Sequence, residues 1–301
     1  MDHVDILCDL RKYGHSIDLC VEYMNPIVKH TGGKSKELHI IKHLLPKQFK
    51  TVIEPFCGGA ALSFDLCKDA ILLDANPALI NLYRQVAEPI MFQEVFSEVC
   101  RLKTLKHDDL EKEYYKARDY LNHGDPDLDG EYRDPYNWAA SYIIVRQLCF
   151  SGMERYNSKG EFNVPFGHYQ KFKCSLNWEH MKFLKRCEIH EGDFHTVIWS
   201  AGKDDLIFID PPHLSMAGKR PYSGDHDLHE RLVEQMNMTQ AKWLFVHDED
   251  EFYKRELSQY HIMYKDVGST RRPARRMYVT NYENDMTLHH VANDTLLDAV
   301  A

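Results

Sequence analysis

Five short runs rich in β-branched and other apolar residues recur along the chain, each passing through a loop into a stretch with helical spacing. They are residues 51–54 (TVIE), 70–73 (AILL), 188–190 (EIH), 206–209 (LIFI) and 242–247 (KWLFVH). Strands this short, alternating with helices, predict an open, mostly parallel sheet of the α/β class. Residues 74–187 hold no such run; within them, 136–150 (YNWAASYIIVRQLCF) reads as a buried helix and 151–169 as a turn-rich stretch. The expected organisation is an α/β domain in two sequence segments, interrupted by a mainly helical insertion.

Apolar residues make up 44% of the 301 positions and charged residues 28%, the balance of an ordinary globular chain. That excludes a mainly disordered protein, a disulfide miniprotein and a collagen-like repeat. No apolar run approaches the ~18–20 residues of a membrane span, and the N-terminus does not read as a secretory signal. The eight cysteines include no C-x-x-C pair, so we expect reduced, mostly buried thiols in an intracellular protein. The densest of the histidine groups, His226 and His229 beside Asp225 and Asp227, fits no zinc spacing; an exposed helix start explains the letters, and no metal is expected.

The net charge of −9 argues, on its face, against a polyanionic partner. The charge is unevenly placed, however. Residues 146–186 carry eight Lys/Arg against three acids, and 265–276 carry five bases against Asp266, whereas 108–134 hold ten acids against four bases. Two basic stretches are therefore hidden in an acidic mean, and they make a phosphate surface plausible.

Three places carry chemistry. TVIE runs into Pro55-Phe56-Cys57-Gly58-Gly59-Ala60-Ala61, a small-residue turn that lets a ligand approach the backbone and the following helix N-terminus. AILLD ends on Asp74, where an acid commonly accepts hydrogen bonds from ribose hydroxyls; Asp74 or Asn76 also suits a helix N-cap. LIFID then leads into Pro211-Pro212-His213, so that Asp210 is a carboxylate at a strand end with little freedom to swing. A carboxylate and a main-chain carbonyl accepting both N–H bonds of an exocyclic amine would free its lone pair for attack on a methyl group, and an aromatic face would orient the base.

The chain resembles the Dam-type DNA adenine-N6 methyltransferases of class D12, which use S-adenosylmethionine. The resemblance spans about residues 29–282. Thr31-Gly32-Gly33-Lys34 is similar to A-G-G-K, residues 54–61 to E-P-F-x-G-G-G-A, and residues 74–81 to D-x-N-x-x-L-I-N. Gly192-Asp193-Phe194 is similar to G-D-F, and Asp210-Pro211-Pro212-His213 to D-P-P-Y. The most specific piece is 149–167, similar to C-[FY]-N-G-L-x-R-Y-N-x-x-G-x-F-N-V-P-F-G, the DNA-reading hairpin of that group.

The resemblance implies a Rossmann-like S-adenosylmethionine-dependent methyltransferase sheet with an inserted, mainly helical DNA-recognition domain. It places Asp210, Pro211, Pro212 and His213 in catalysis, and Gly32, Lys34, Phe56, Gly58, Gly59, Asp74, Asp193 and Phe194 on the cofactor. It places Phe150, Ser151, Arg155, Asn157, Pro165, Arg271, Arg272 and Arg275 on double-stranded DNA. Phe150 would wedge into the base stack, Arg155 would read a guanine edge and Pro165 would meet a thymine methyl, in a GATC-type site. The implied boundaries are an N-terminal extension over 1–28, catalytic segments over 29–92 and 185–301, and target recognition over 93–184. The implied location is the cytoplasm of a bacterial or phage-infected cell.

Four departures stand out. Ala60 replaces the last glycine of the cofactor turn, tolerable if its φ is negative. Ser151 replaces the hairpin asparagine, and the basic stretch near Arg271 is shorter than the family loop. His213 replaces tyrosine. Imidazole is a smaller stacking face and, with an ordinary pKa near ~6.5, a protonated fraction would sit beside a sulfonium; turnover should therefore fall as pH drops. Two alternatives accompany the methyltransferase reading: a catalytically weakened Dam-derived DNA-binding protein, and methylation of an amine on RNA or protein, which fits the D-P-P site but not the hairpin.

Overall fold

The computed structural model describes residues 24–125, 133–212, 225–269 and 272–284. Among them are a seven-stranded sheet and ten α-helices. The strands are β1 (Val52–Glu54), β2 (Ala70–Asp74), β3 (Glu188–Glu191), β4 (Leu206–Ile209), β5 (Lys242–Asp248), β6 (His261–Ser269) and β7 (Arg272–Thr280). Their order is β3-β2-β1-β4-β5-β7-β6, with β3 to β5 parallel and β7 antiparallel to both neighbours.

The first five strands are those predicted. The hairpin of β6 and β7 was not: its basic letters read as a DNA-facing stretch, whereas they pair residue for residue from His261–Thr280 to Ser269–Arg272. β7 pairs with β5 only from Arg276 to Thr280, so at Pro273 the strand has a neighbour on one side alone and a proline is tolerated.

Parallel strands buried on both faces need apolar residues at every position. Val52, Leu72, Leu206, Phe208, Leu244 and Val246 face one core. Ile53, Leu73, Ile207, Ile209, Trp243 and Phe245 face the other. The first core is covered by α1 (Leu38–Leu44), α2 (Ala61–Leu66), α3 (Pro77–Ala87), α4 (Pro89–Thr104), α5 (His107–His123), α6 (Pro135–Leu148) and α7 (Trp178–Leu184). The second is covered by α8 (His195–Ser200), α9 (Asp225–Met238) and α10 (Glu251–Glu256).

Helix α6 realises the predicted buried helix: Asp134 caps it through the Asn137 N–H, Pro135 occupies its first turn, and every residue from Ala139 to Leu148 is buried. It packs against α3, α4 and α5. The insertion therefore shares its core with the sheet, and the expected boundary at 92/93 falls inside α4. Residues just ahead of the expected boundary at 28/29 also pack on the sheet. Met24, Ile27 and Val28 are buried in the first core, and the Ile27 carbonyl accepts from Gln147 Nε2 at 2.6 Å.

Six cysteines lie among the described residues, all as free thiols. Only Cys57 and Cys149 are buried, Cys67, Cys174 and Cys187 are half-buried and Cys100 is exposed, so burial is less general than expected. His229 is not part of an exposed helix start. It is buried in the second core, where its ring meets the Tyr253 hydroxyl and lies edge-on to His247. No helix among the described residues is long and apolar enough to cross a membrane.

Candidate active site

Strand order reverses between β1 and β4: the chain leaves β1 for β2 on one side and β4 for β5 on the other. Such a switch point opens a crevice at the carboxyl ends of the strands. The crevice here is a cavity of about 1030 Å³, lined on the β1 side by Glu54, Phe56, Cys57, Gly58, Gly59 and Ala60, and on the β4 side by Asp210, Pro211 and Pro212. Asp74 from β2 and Gly32, Gly33 and Lys34 from the segment before α1 complete the predicted part of the wall.

Lys34 and Asp210 are 176 positions apart and form the central pair. The Lys34 ammonium lies 2.6 Å from both carboxylate oxygens and also donates to the Gly32 carbonyl at 2.9 Å. Lys34 is only 3% exposed, so its charge is matched by the one it meets. The sequence marked each residue separately; their contact arises because the end of β4 and the segment before α1 line the same cavity.

The glycine turn is held tightly. Gly58 N donates to Asp74 Oδ2 and Asn76 N to Asp74 Oδ1, both at 2.9 Å, and Tyr83 Oη donates to the Gly58 carbonyl at 2.7 Å. Gly58 has φ +45°, and a Cβ there would fall 2.9 Å from the His30 ring. Asn76, not Asp74, caps α3, accepting from the Ala78 and Leu79 N–H groups. Burial is the main cause that raises the Asp74 carboxyl above its ordinary value, opposed by nearby His30 and the two backbone donors. Glu54, fully buried beneath the turn, accepts from Ser63 N and Oγ, and burial pushes its carboxyl up to about 7.

Ala60 has φ +49° and ψ +41°, so the condition that would have made this alanine harmless is not met. Its N–H closes the turn onto the Cys57 carbonyl at 2.6 Å, and the residue takes the left-handed conformation that glycine adopts freely.

Asp193 and Phe194 are not in the cavity wall. Asp193 accepts from His195 N at 2.9 Å and Arg231 Nη2 at 2.8 Å. Phe194 is buried and packs on Phe56, ring centroids 5.3 Å apart. His213 and Arg271 lie outside the described residues, as does the side chain of Arg272; Arg275 is exposed on β7, its guanidinium 4.8 Å from the centre of the Tyr264 ring.

Beside the cavity, residues 149–167 form an irregular hairpin closed by bridges Cys149–Phe166 and Tyr156–Phe162. Phe150 is 49% exposed and donates its N–H to the Pro165 carbonyl, so both sit at the hairpin base. Ser151 is exposed with φ +54°. Arg155 is exposed, its Nε and Nη2 donating to Asn163. The Asn157 side chain is spent on the turn: it accepts from Lys159 N and Glu161 N and donates to the Glu161 carboxylate.

Sequence reading missed Lys29, His30 and Glu154, which line the same cavity. The first two lie just ahead of the matched Thr31–Lys34 turn, and Glu154 lies inside a stretch read only for DNA. Among the described residues, no cluster of three metal-ligating side chains is present.

The model of the D12 class N6 adenine-specific DNA methyltransferase family matches residues 30–270. The chain is 32% identical over 238 residues to the Type II methyltransferase M.CviBI of Paramecium bursaria Chlorella virus NC1A, covering 77% of this chain and 85% of that one. It is 33% identical to the Type II methyltransferase M.MjaIII of Methanocaldococcus jannaschii, covering 63% and 69%. It is 28% identical to the DNA adenine methylase of Haemophilus influenzae, covering 66% and 67%.

Proposed function

Because the chain belongs to the D12 class N6 adenine-specific DNA methyltransferase family and is an enzyme of that activity, we propose that its cavity holds S-adenosylmethionine and that the target adenine is flipped from duplex DNA to Asp210. The observation that carries this reading is the convergence on one cavity of the glycine turn, Asp74 and the Lys34–Asp210 pair. The residues suit that donor. Asp74 keeps lone pairs for a ribose diol beyond its two backbone bonds, Phe56 offers an aromatic face for a purine, and the bare Gly58 backbone admits close approach. When bound, the donor supplies an electrophilic sulfonium methyl group.

Asp210 and the Pro211 carbonyl would accept the two N6–H bonds, drawing the amine toward tetrahedral geometry. The Lys34 ammonium, bonded to both oxygens, and the two prolines hold that carboxylate in one orientation. His213 would stack on the base, so turnover is expected to fall between pH 8 and pH 6 as the ring gains a proton, and His213→Tyr to raise kcat and flatten that profile.

We read residues 93–184 as the target-recognition part. Asn163 fixes one edge of the Arg155 guanidinium and leaves the other to meet a guanine, and exposed Phe150 and Pro165 flank it. Arg275, with Arg271 and Arg272, would contact phosphates, and a GATC-type site is the proposed target. Purified protein incubated with labelled donor and duplex DNA, followed by methylation-sensitive digestion, tests both. Without N6-methyladenine the catalytic reading fails, and methylation outside GATC refutes the proposed site. Asp210→Ala should abolish methyl transfer while donor binding persists.

A further inference from the structure

Glu154 enters the cavity from the recognition hairpin, one residue before Arg155. Its side chain is 8% exposed, Tyr156 Oη lies 3.2 Å from Oε1, and Oε2 lies 3.9 Å from Arg146 Nη1 and 4.0 Å from His30 Nε2. Arg146 supplies charge there, and three of its N–H groups bond the carbonyls of Lys29, Gly152 and Met153.

His30 Nδ1 is 3.0 Å from the Thr31 carbonyl. A carbonyl only accepts, so in the neutral ring Nδ1 carries the proton and Nε2 turns a lone pair toward Glu154. Two acceptors 4.0 Å apart suit one donor bearing several N–H bonds, and the carboxylate favours a donor that is positively charged. A primary ammonium has both properties. The His30 ring also lies against Gly58, so the pair stands over the glycine turn, close to Asp74.

We propose that Glu154 and His30 receive the α-ammonium of the methionine end of S-adenosylmethionine, so that a residue of the DNA-reading hairpin directly holds the methyl donor. The proposal rests on reading the cavity as the donor site. It has a consequence for DNA binding. Glu154 and Arg155 are consecutive, and Thr31 Oγ1 bonded to the Gly152 carbonyl and Lys29 Nζ bonded to the Gln147 carbonyl brace the hairpin base against the cavity. Donor and DNA therefore strengthen each other's binding by one shared factor.

Calorimetry with two ligands tests the assignment. S-adenosylhomocysteine carries the α-ammonium; 5′-methylthioadenosine has the same nucleoside and sulfur without the amino-acid end. Glu154→Gln should weaken S-adenosylhomocysteine by about tenfold, the scale of one charge-assisted hydrogen bond, and leave methylthioadenosine within about twofold. His30→Phe, which keeps a ring over Gly58 without the acceptor, should give the same pattern and serves if the first variant does not fold. Duplex affinity measured with and without S-adenosylhomocysteine should show tightening in the wild type that Glu154→Gln loses. An unchanged S-adenosylhomocysteine affinity, equal losses for both ligands, or undiminished tightening in the variant would overturn the proposal. A wild-type protein that binds neither ligand would refute the donor site itself, a result distinct from any failure of the variants.

Discussion

Ala60 and Ser151 are the two described positions where the chain departs from the glycine and asparagine of its family's motifs, and both adopt positive φ. The substitutions therefore fall where the backbone is least tolerant of a side chain. Left-handed backbone costs a non-glycine residue roughly 1 kcal/mol. Ala60→Gly should accordingly raise stability by about 1 kcal/mol, read as a higher denaturation midpoint, although it adds freedom to the unfolded chain. Ser151→Asn should give a smaller gain, because asparagine tolerates this region; tighter binding of a target duplex is its readout.

Glu54 adds a pH dependence at the same scale. Burial raises its carboxyl from 4.5 in the open chain to about 7 in the fold, so between those values the native state holds more protons than the unfolded one. Its contribution to stability is thus present below pH 4.5 and is lost as pH rises through 7. Glu54→Gln, which cannot charge, should gain on the wild type by on the order of 3 kcal/mol between pH 4.5 and 8. A difference that stays constant between parallel denaturation series at the two pH values would show this assignment to be wrong.

Among the elements, the β6–β7 hairpin is joined to the segment before α1 through Glu37. Arg276 donates to both Glu37 oxygens, Nε at 3.2 Å and Nη2 at 3.3 Å, and Tyr278 Oη donates to Oε2 at 2.6 Å. Glu37 is three residues beyond Lys34, so the basic hairpin and the Lys34–Asp210 pair share one support. Arg276 is 9% exposed, and removing the charge opposite a buried ion costs about 3 kcal/mol. Glu37→Gln should show a part of that loss, about 1–2 kcal/mol, in urea denaturation, because Arg276 keeps Asp248, 2.7 Å from Nη1. None of this was legible in the chain, where Glu37 and Arg276 stand 239 positions apart. The five parallel strands and α6 were legible, because their apolar runs and caps are local patterns.

Over the whole molecule, the charge of −9 opposes a DNA substrate that the family requires, and the distribution reconciles them. Residues 108–123 of the acid-rich stretch lie in α5, whereas exposed Lys173 lines the cavity and exposed Arg155 lies on the hairpin beside it. DNA affinity should fall steeply with salt, and Arg275→Ala should lower the slope of log affinity against log salt by about 1 if that residue meets a phosphate. An unchanged slope would remove Arg275 from the interface.

What the sequence alone determined was the α/β class, the motif order, and the separate identities of Asp74, Asp210, Lys34 and Arg155, since periodicity and turn chemistry are written in neighbouring residues. Tertiary structure decided the rest. It closed Lys34 on Asp210, carried Glu154 from the hairpin to His30 over the glycine turn, and drew two basic strands into the sheet's flank. It also set the sign of φ at Ala60, where the glycine turn passes into α2. Such contacts depend on how distant segments pack, and packing has no signature in the order of the letters.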